Sequence, residues 1–468
     1  MLPEVSLLLL QPKLTFDRMF YVRLDRFFNL TASGTTAGRE VIAGLTTFAA
    51  MVYCVAVNPM IMAEAGMDRA SVLSATCLIA IFSTTLMGLL ANLPLGVAPA
   101  MGSNVVFAII LVKQMGVPWQ AALALVCLTG LIFMVMSLTR IRERIAQEIP
   151  DTLRIGIQVA VGLVIMFIGM RNSGFVVPSP STFVSMGPIT NPKVLMTLAG
   201  FILTPVLVAK RVPGALIISI ITLTFVGLFL PDSKGGSITP WPTHIFALPR
   251  MPHETAFQLE PLYLVHHIFY VLPMLFFFLC TELFGTLANL LGVVTATGMV
   301  SENGRIPRAR EAFITDAAGS ILAPMLGTSI VTVYSESITG VHAGGRTGLT
   351  ALVIAGGFVT ALFLWPLFMI IPPQATAPSL LMVGMMMFQG VRHLDLSDLK
   401  ESAPAALTFI IALLTGNLIN GMAIGTFSYA TMALATGRGR AVSPVVWGLC
   451  VIFIMFFAVS AHMHGHHG

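Results

Sequence analysis

The sequence predicts an all-α polytopic membrane protein with 14 transmembrane spans, arranged as two inverted seven-span repeats with short half-helices in spans 3 and 10. Three observations predict this. The 468 residues are 56% hydrophobic and only 10% charged, against about 25% charged in an ordinary soluble domain, and the mean hydropathy is +0.90. Apolar runs recur along the chain at the ~20 residues that one crossing needs. The basic residues gather in short connections between alternate runs, as the positive-inside rule expects. A net charge of +5 spread in this way does not indicate nucleic acid.

In order, residues 1–39 read as a cytoplasmic N-terminal segment, with 1–12 a loose extension and 16–30 an amphipathic surface helix of alternating basic and aromatic residues. No basic n-region precedes the short leucine run at 7–10, so no cleavable signal is read there. Spans follow near 40–58, 69–92, 97–114, 117–139, 151–170, 193–210 and 213–231. A polar, proline-rich extracytoplasmic loop covers 232–261. Seven more spans are read near 262–298, 309–326, 328–345, 347–371, 374–391, 399–436 and 441–461, before a His-rich tail at 462–468. The 399–436 run is long for one helix and holds Gly416, Asn417 and Gly421 as breakers.

With that count, five basic clusters share one side: Lys13 to Arg39; Arg140, Arg142 and Arg144; Lys210 and Arg211; Arg305, Arg308 and Arg310; and His393 to Lys400. Arg438 and Arg440 are the exception, and an even number of crossings puts both termini in the cytoplasm. An odd-numbered repeat used twice must be inverted. Internal echoes agree: Ile149-Pro150 opens span 5 as Ile371-Pro372 opens span 12. The five cysteines, Cys54, Cys77, Cys127, Cys280 and Cys450, all lie inside apolar runs and read as small buried hydrophobes.

The stretch at 328–351 breaks the pattern. It sits at membrane depth, yet carries Glu336, several hydroxyls and Gly340, Gly344, Gly345 and Gly348. It opens with the β-branched run Ile330, Val331, Thr332, Val333, which favours extended backbone. Irregular backbone at this depth is tolerated only where protein buries it or it lines a cavity, and glycine-interrupted short segments point to a transporter's binding site. Its counterpart in the first repeat is Ala98-Pro-Ala-Met-Gly-Ser-Asn104. Paired so, the half-helices would present free N–H groups and positive dipole ends near the midplane.

A carboxylate at mid-membrane costs roughly 2.5–3.5 kcal/mol on insertion scales, so Glu336 is the first candidate for binding substrate, carrying a proton, or both. The bland alternative is an acid satisfied by neighbouring N–H groups. Glu282 is the second. With Gly285, Thr286 and Asn289 it recurs at i, i+3, i+4 and i+7, one face of span 8, where helix–helix hydrogen bonding is the alternative. Asn104 can donate and accept at once, or can cap a broken helix. Thr332 and Ser335 flank Glu336, and Tyr53, Phe284 and Tyr334 could stack on a planar ligand or merely pack. Asp316 and Glu64 lie near span ends and read as interfacial or capping. No nucleotide-binding fingerprint, cofactor motif or metal-ligand spacing is present; the histidines of the tail read as solvated.

The run Glu336-Ser-Ile-Thr-Gly-Val-His-Ala-Gly-Gly-Arg-Thr-Gly-Leu-Thr350 closely resembles the tenth-span signature of the AzgA-like purine permeases, a branch of the nucleobase:cation symporter 2 (nucleobase–ascorbate transporter) family. Gly44-Leu-Thr-Thr-Phe48, Val57-Asn-Pro59, Pro99-Ala-Met-Gly-Ser-Asn104 and Ala375-Thr-Ala-Pro378 support the likeness. The resemblance implies a core domain of spans 1–4 and 8–11 (40–139 and 262–371) moving against a gate domain of spans 5–7 and 12–14 (140–231 and 372–461), within a homodimer. It implies proton-coupled uptake of adenine, guanine or hypoxanthine, with a proton ahead of sodium as the driver. Carried over, Glu336 is the tenth-span acid and Asn104 the third-span polar residue; with the residues read above, the expected substrate-binding set is Glu336, Glu282, Asn104, Gly285, Thr286, Thr332, Ser335, Tyr53 and Phe284, with Glu336 and Glu282 coupling the proton. Relatives carry an Asp-Leu-Phe-Asp-Thr pattern in span 8; here Glu282-Leu-Phe-Gly285-Thr286 puts glycine at its second acid. That departure leaves another substrate open, a uracil- or xanthine-like heterocycle or an anion on the same fold. An enzyme would need a nucleophile or cofactor cluster, and a receptor would bind without flux.

Overall fold

The computed structural model describes residues 24–139, 150–232, 235–297, 308–437, 439 and 442–464, without the side chains of 284, 287, 288, 291–297 and 459–464. Residues 1–23, Arg140, Arg142, Arg144, Arg305, Arg438, Arg440 and the end of the His-rich tail therefore lie outside the described residues, as does the side chain of Phe284. Among the described residues, seven helices are long and apolar enough to cross a membrane, and four more are apolar at 10–17 residues.

Span 1 is α1 (Ala37–Met51) continued by α2 (Tyr53–Ala63), with a slip at Val52 and Pro59 inside. Span 2 is α3 (Arg69–Leu86), ending in a wide turn at Met87–Ala91. Then comes β1 (Val97–Pro99), followed at once by α4 (Met101–Val105), which widens through Val106–Gln114. Span 4 is α5 (Trp119–Leu138) and span 5 is α6 (Asp151–Asn172). An exposed hairpin that the sequence reading missed, β2 (Val176–Ser179) with β3 (Phe183–Met186), leads to α7 (Pro192–Ala209) and α8 (Ala215–Gly227). A long loop follows, tied down by Ala247 N–H donating to Phe363 O and Phe257 N–H donating to Met325 O.

The second half repeats the order. Span 8 is α9 (Pro261–Thr297), kinked at His267, and span 9 is α10 (Ala309–Leu326). Next are β4 (Val331–Val333), α11 (Ser337–His342) and α12 (Gly348–Phe363). A short α13 (Trp365–Met369) and α14 (Pro373–Phe388) complete spans 11 and 12.

Here the expected bounds of the last spans need correction. The 399–436 run is not one span but two helices, α15 (Leu399–Thr415) and α16 (Leu418–Ala435), packed on each other. Gly416 adopts φ +61, where the helix stops, and the Asn417 side chain caps the next one by accepting from the N–H groups of Ile419 and Asn420. A further helix, α17 (Pro444–His464), follows them.

Two groups of helices pack mainly within themselves. α1–α5 and α9–α12 form one; α6, α7, α8, α14, α15 and α16 form the other. Fully buried Phe107, Phe277, Phe278 and Phe358 belong to the main core of the molecule.

Candidate functional site

The organising element is a two-stranded crossing. β1 and β4 run antiparallel, with Val97 opposite Val333 and Pro99 opposite Val331. The pairing continues past both ends: Ala100 N–H donates to Ile330 O and Tyr334 N–H to Gly96 O, each at 2.9 Å. Because the strands are antiparallel, α4 and α11 leave the crossing in opposite directions. The ladder between their amino ends runs about four residue steps, roughly 13 Å. The expectation of two half-helices opening from extended backbone is met.

Glu336 sits at the head of α11. Its Oε1 accepts from the Tyr53 hydroxyl at 3.0 Å and its Oε2 from Ser335 Oγ at 3.2 Å. A carboxylate has about four acceptor positions, so both oxygens keep capacity, and Glu336, Ser335 and Thr332 are only half-buried. Tyr53 lies beside Tyr334, ring centroids 6.4 Å apart, and the Tyr334 hydroxyl donates to Pro99 O at 2.7 Å. One tyrosine thus holds the acid and the other holds the strand.

Span 8 meets β4 along the stripe read from its spacing. Thr286 Oγ1 lies 3.4 Å from Thr332 Oγ1, and Asn289 donates to Val333 O. Gly285 faces Thr332 across open space: among the described residues, a Cβ built there would meet only Thr332 Oγ1, at 3.8 Å. Glu282, one turn earlier, is enclosed, with Asp316 and Ser320 of α10 alongside. Asp316 is a correction. It is fully buried in α10 and accepts from Thr286 Oγ1, where the sequence suggested a cap. Position in a run does not reveal which helix faces it. Glu64 does end its helix, where it pairs with Lys113.

Asn104 is fully buried on α4, and its Nδ2 donates to Asn58 Oδ1. Asn58 was read only as part of a motif.

The glycine-rich end of the stretch has a different task. Glu40 of α1, fully buried, accepts from Arg346 N–H at 2.9 Å, Thr347 N–H at 3.2 Å and Thr350 N–H at 3.1 Å, and from the hydroxyls of Thr347 and Thr350 at 2.9 and 2.6 Å. The Asn92 side chain takes Gly348 N–H at 2.8 Å. Span 1 therefore caps span 11. Gly340 admits the close approach of α11 to α1, since a Cβ there would lie 2.6 Å from Ala43 O. Sequence spacing cannot find this cap, because its acid lies some three hundred residues away.

The model of the Permease family (Xan_ur_permease) matches residues 38–425. The chain is 37% identical over 441 residues to the adenine permease AdeP of Escherichia coli, covering 94% of this chain and 97% of that one. It is 34% identical over 442 residues to the guanine/hypoxanthine permease PbuO of Bacillus subtilis, covering 92% and 99%. Among solved structures, the transmembrane domain of the cyanobacterial bicarbonate transporter BicA aligns with a TM-score of 0.55 at 17% identity, covering 83% of this chain and 96% of that one. Murine Slc26a9 aligns with a TM-score of 0.58 at 11% identity, covering 85% and 68%. Those two likenesses concern the fold alone.

Proposed function

This chain belongs to the Permease family and is a membrane transporter of its purine-permease kind, not an enzyme; from that premise we propose that it takes up purine nucleobases of the adenine, guanine or hypoxanthine type together with protons, by alternating access. The observation that carries the reading is Glu336: an acid at the head of a half-helix, held by Tyr53 and Ser335, with acceptor capacity left over. Gly285 and Thr286 of span 8 meet Thr332 of β4, and Asn104 stands on the other half-helix; both are read as further walls of the same pocket.

A purine base is neutral near physiological pH, so membrane potential alone does not drive it. One co-transported proton falling through 100 mV supplies about 2.3 kcal/mol, or roughly 50-fold accumulation. Glu336 accepts a ring N–H and is the first choice for carrying the proton. Backbone N–H groups at the amino ends of α4 and α11 would donate to ring nitrogens or an exocyclic oxygen. Glu282 is the second proton candidate, acting from behind the stripe.

The two helix groups support a core of spans 1–4 and 8–11 rocking against a gate of spans 5–7 and 12–14, in a homodimer. On the extracytoplasmic side Glu64 of the core lies 3.2 Å from Asn172 and 3.9 Å from Arg171 of the gate, and Gln114 donates to Gly416 O. Those contacts support a conformation closed to the outside.

The N-terminus is proposed to be cytoplasmic and the C-terminus not. Leu153, at the cytoplasmic start of α6, packs with Val442, Val446 and Tyr429, so α17 starts on that side. Tyr270, early in α9, stacks on Phe456, late in α17.

Uptake of labelled purines into proteoliposomes under an imposed proton gradient tests the function. Accumulation should collapse when the gradient is dissipated, and Glu336→Gln should abolish it while leaving the protein folded. Gradient-independent flux would overturn coupling; competition by sulfate or bicarbonate and not by purines would favour an anion substrate.

A further inference from the structure

We infer that Asn58 is a positioning residue that fixes which end of the Asn104 amide is offered to substrate, and that the end offered is the acceptor. The inference rests on the proposed reading of Asn104 as a substrate contact, and deepens it to the polarity of the base edge that α4 recognises: a donor.

The argument is a chain of directional hydrogen bonds anchored on the backbone. Val72 O can only accept, and Thr76 Oγ1 donates its one proton to it at 2.7 Å. Thr76 Oγ1 must therefore accept from its other neighbour, Asn58, at 2.8 Å. That contact fixes the Asn58 amide with Nδ2 toward Thr76, and the same Nδ2 also donates to Thr328 Oγ1 at 2.9 Å. Asn58 Oδ1 then faces Asn104 and takes a proton from Asn104 Nδ2. What remains is Asn104 Oδ1, which is buried and has no hydrogen-bond partner among the described residues.

Asn58, Thr76, Asn104 and Thr328 are all fully buried, so water does not readily exchange into the chain, and reversing it would set Asn58 Oδ1 against an oxygen with no proton to give. A buried acceptor left unpaired is costly, and a ring N–H or exocyclic amine of the base satisfies it. Both side chains at the heads of the half-helices, Glu336 and Asn104, are then acceptors, while the helix ends supply the donors.

Thr76 and Thr328 allow a discriminating experiment. In Thr76→Val the anchor is gone. Thr328 can donate or accept, so both orientations of Asn58 become satisfied and the Asn104 amide can turn over. In Thr328→Val one hydrogen bond to Asn58 is lost, but the anchor to Val72 stays. Inhibition of labelled uptake should be measured for adenine, guanine, hypoxanthine and xanthine in the parent, both valine variants and Asn104→Ala.

The expected result is that Thr76→Val changes the ratio between bases differing by a donor-to-acceptor exchange by about tenfold, on the scale of one mispaired buried hydrogen bond, while Thr328→Val leaves that ratio alone. Equal scaling of all bases in both variants would mean plain loosening and would overturn the inference, as would an unchanged ratio in Thr76→Val, the outcome if only a water meets Asn104. If Asn104→Ala binds every base like the parent, Asn104 is no substrate contact, and the inference falls with that reading. If Asn104→Ala weakens binding but the Thr76→Val ratio holds, only the polarity argument fails.

Discussion

Substitution at Gly285 separates space from chemistry on the span 8 wall. A Cβ there meets only Thr332 Oγ1, at 3.8 Å, which is ordinary van der Waals contact. Gly285→Ala thus displaces no atom, and it replaces glycine inside a helix, where alanine is favoured by up to about 1 kcal/mol. Its melting temperature in detergent should equal or exceed that of the parent. At Gly340 the same change brings a methyl within 2.1 Å of Thr47 Oγ1 and 2.6 Å of Ala43 O. Overpacking against backbone costs about 1–3 kcal/mol or more, so Gly340→Ala should melt lower and serves as the contrast. Gly285→Asp restores the acid seen in the related pattern. It carries an insertion cost of roughly 2.5–3.5 kcal/mol, offset in part by Thr332 and by N–H groups of a bound base. Competition of labelled uptake by a purine panel should show Gly285→Ala with the parent's order of preference and Gly285→Asp with a changed one, by about tenfold between at least two bases. A lowered melting temperature for Gly285→Ala would show that the wall is packed rather than open. An unchanged order in Gly285→Asp would remove span 8 from the pocket.

Other changes have equally definite outcomes. Glu40→Ala leaves three backbone N–H groups at the start of α12, those of Arg346, Thr347 and Thr350, without their acceptor; at about 1–3 kcal/mol for each buried donor, melting should drop markedly in detergent, and a variant as stable as the parent would refute the capping role. Glu64→Ala removes partly exposed pairs worth under about 1 kcal/mol, so stability should barely move. A cysteine at Met60 or Thr376, which line the small cavity beside Glu64, should nevertheless react faster with an impermeant thiol reagent, and an unchanged rate would refute the extracytoplasmic latch. Uptake should fall as external pH rises at constant internal pH, because the outside supplies the driving proton; a flat profile would argue against proton coupling. A periplasmic reporter fused after residue 468 should be active and one fused at the N-terminus silent; the reverse pattern at the C-terminus would mean that α17 does not cross.

What was legible in the sequence was whatever physics writes locally. Twenty-residue apolar runs, the β-branched opening of 330–333 and an acid at membrane depth each leave a mark within a few residues, and they led to the crossed strands and to Glu336. The i, i+3, i+4, i+7 stripe of span 8 was legible for the same reason, and Gly285, Thr286 and Asn289 do meet β4. Contacts between distant segments leave no such mark. The glycine-rich end of 328–351 looked like pocket lining, yet most of its unusual residues serve the junction that Glu40 closes. Asp316 looked like a cap because it is near the start of a run, but it is enclosed beside Glu282. The break in the 399–436 run was legible in Gly416 and Asn417, which turn it at a positive φ and cap the next helix, but not that the two halves fold back on each other as a hairpin. On the proposed topology that detail decides the parity of the crossings: a single glycine conformation would move the C-terminus across the membrane, whereas a polar residue misread within one span moves nothing, since inversion of the repeat depends on how many times the chain crosses and not on what each crossing contains.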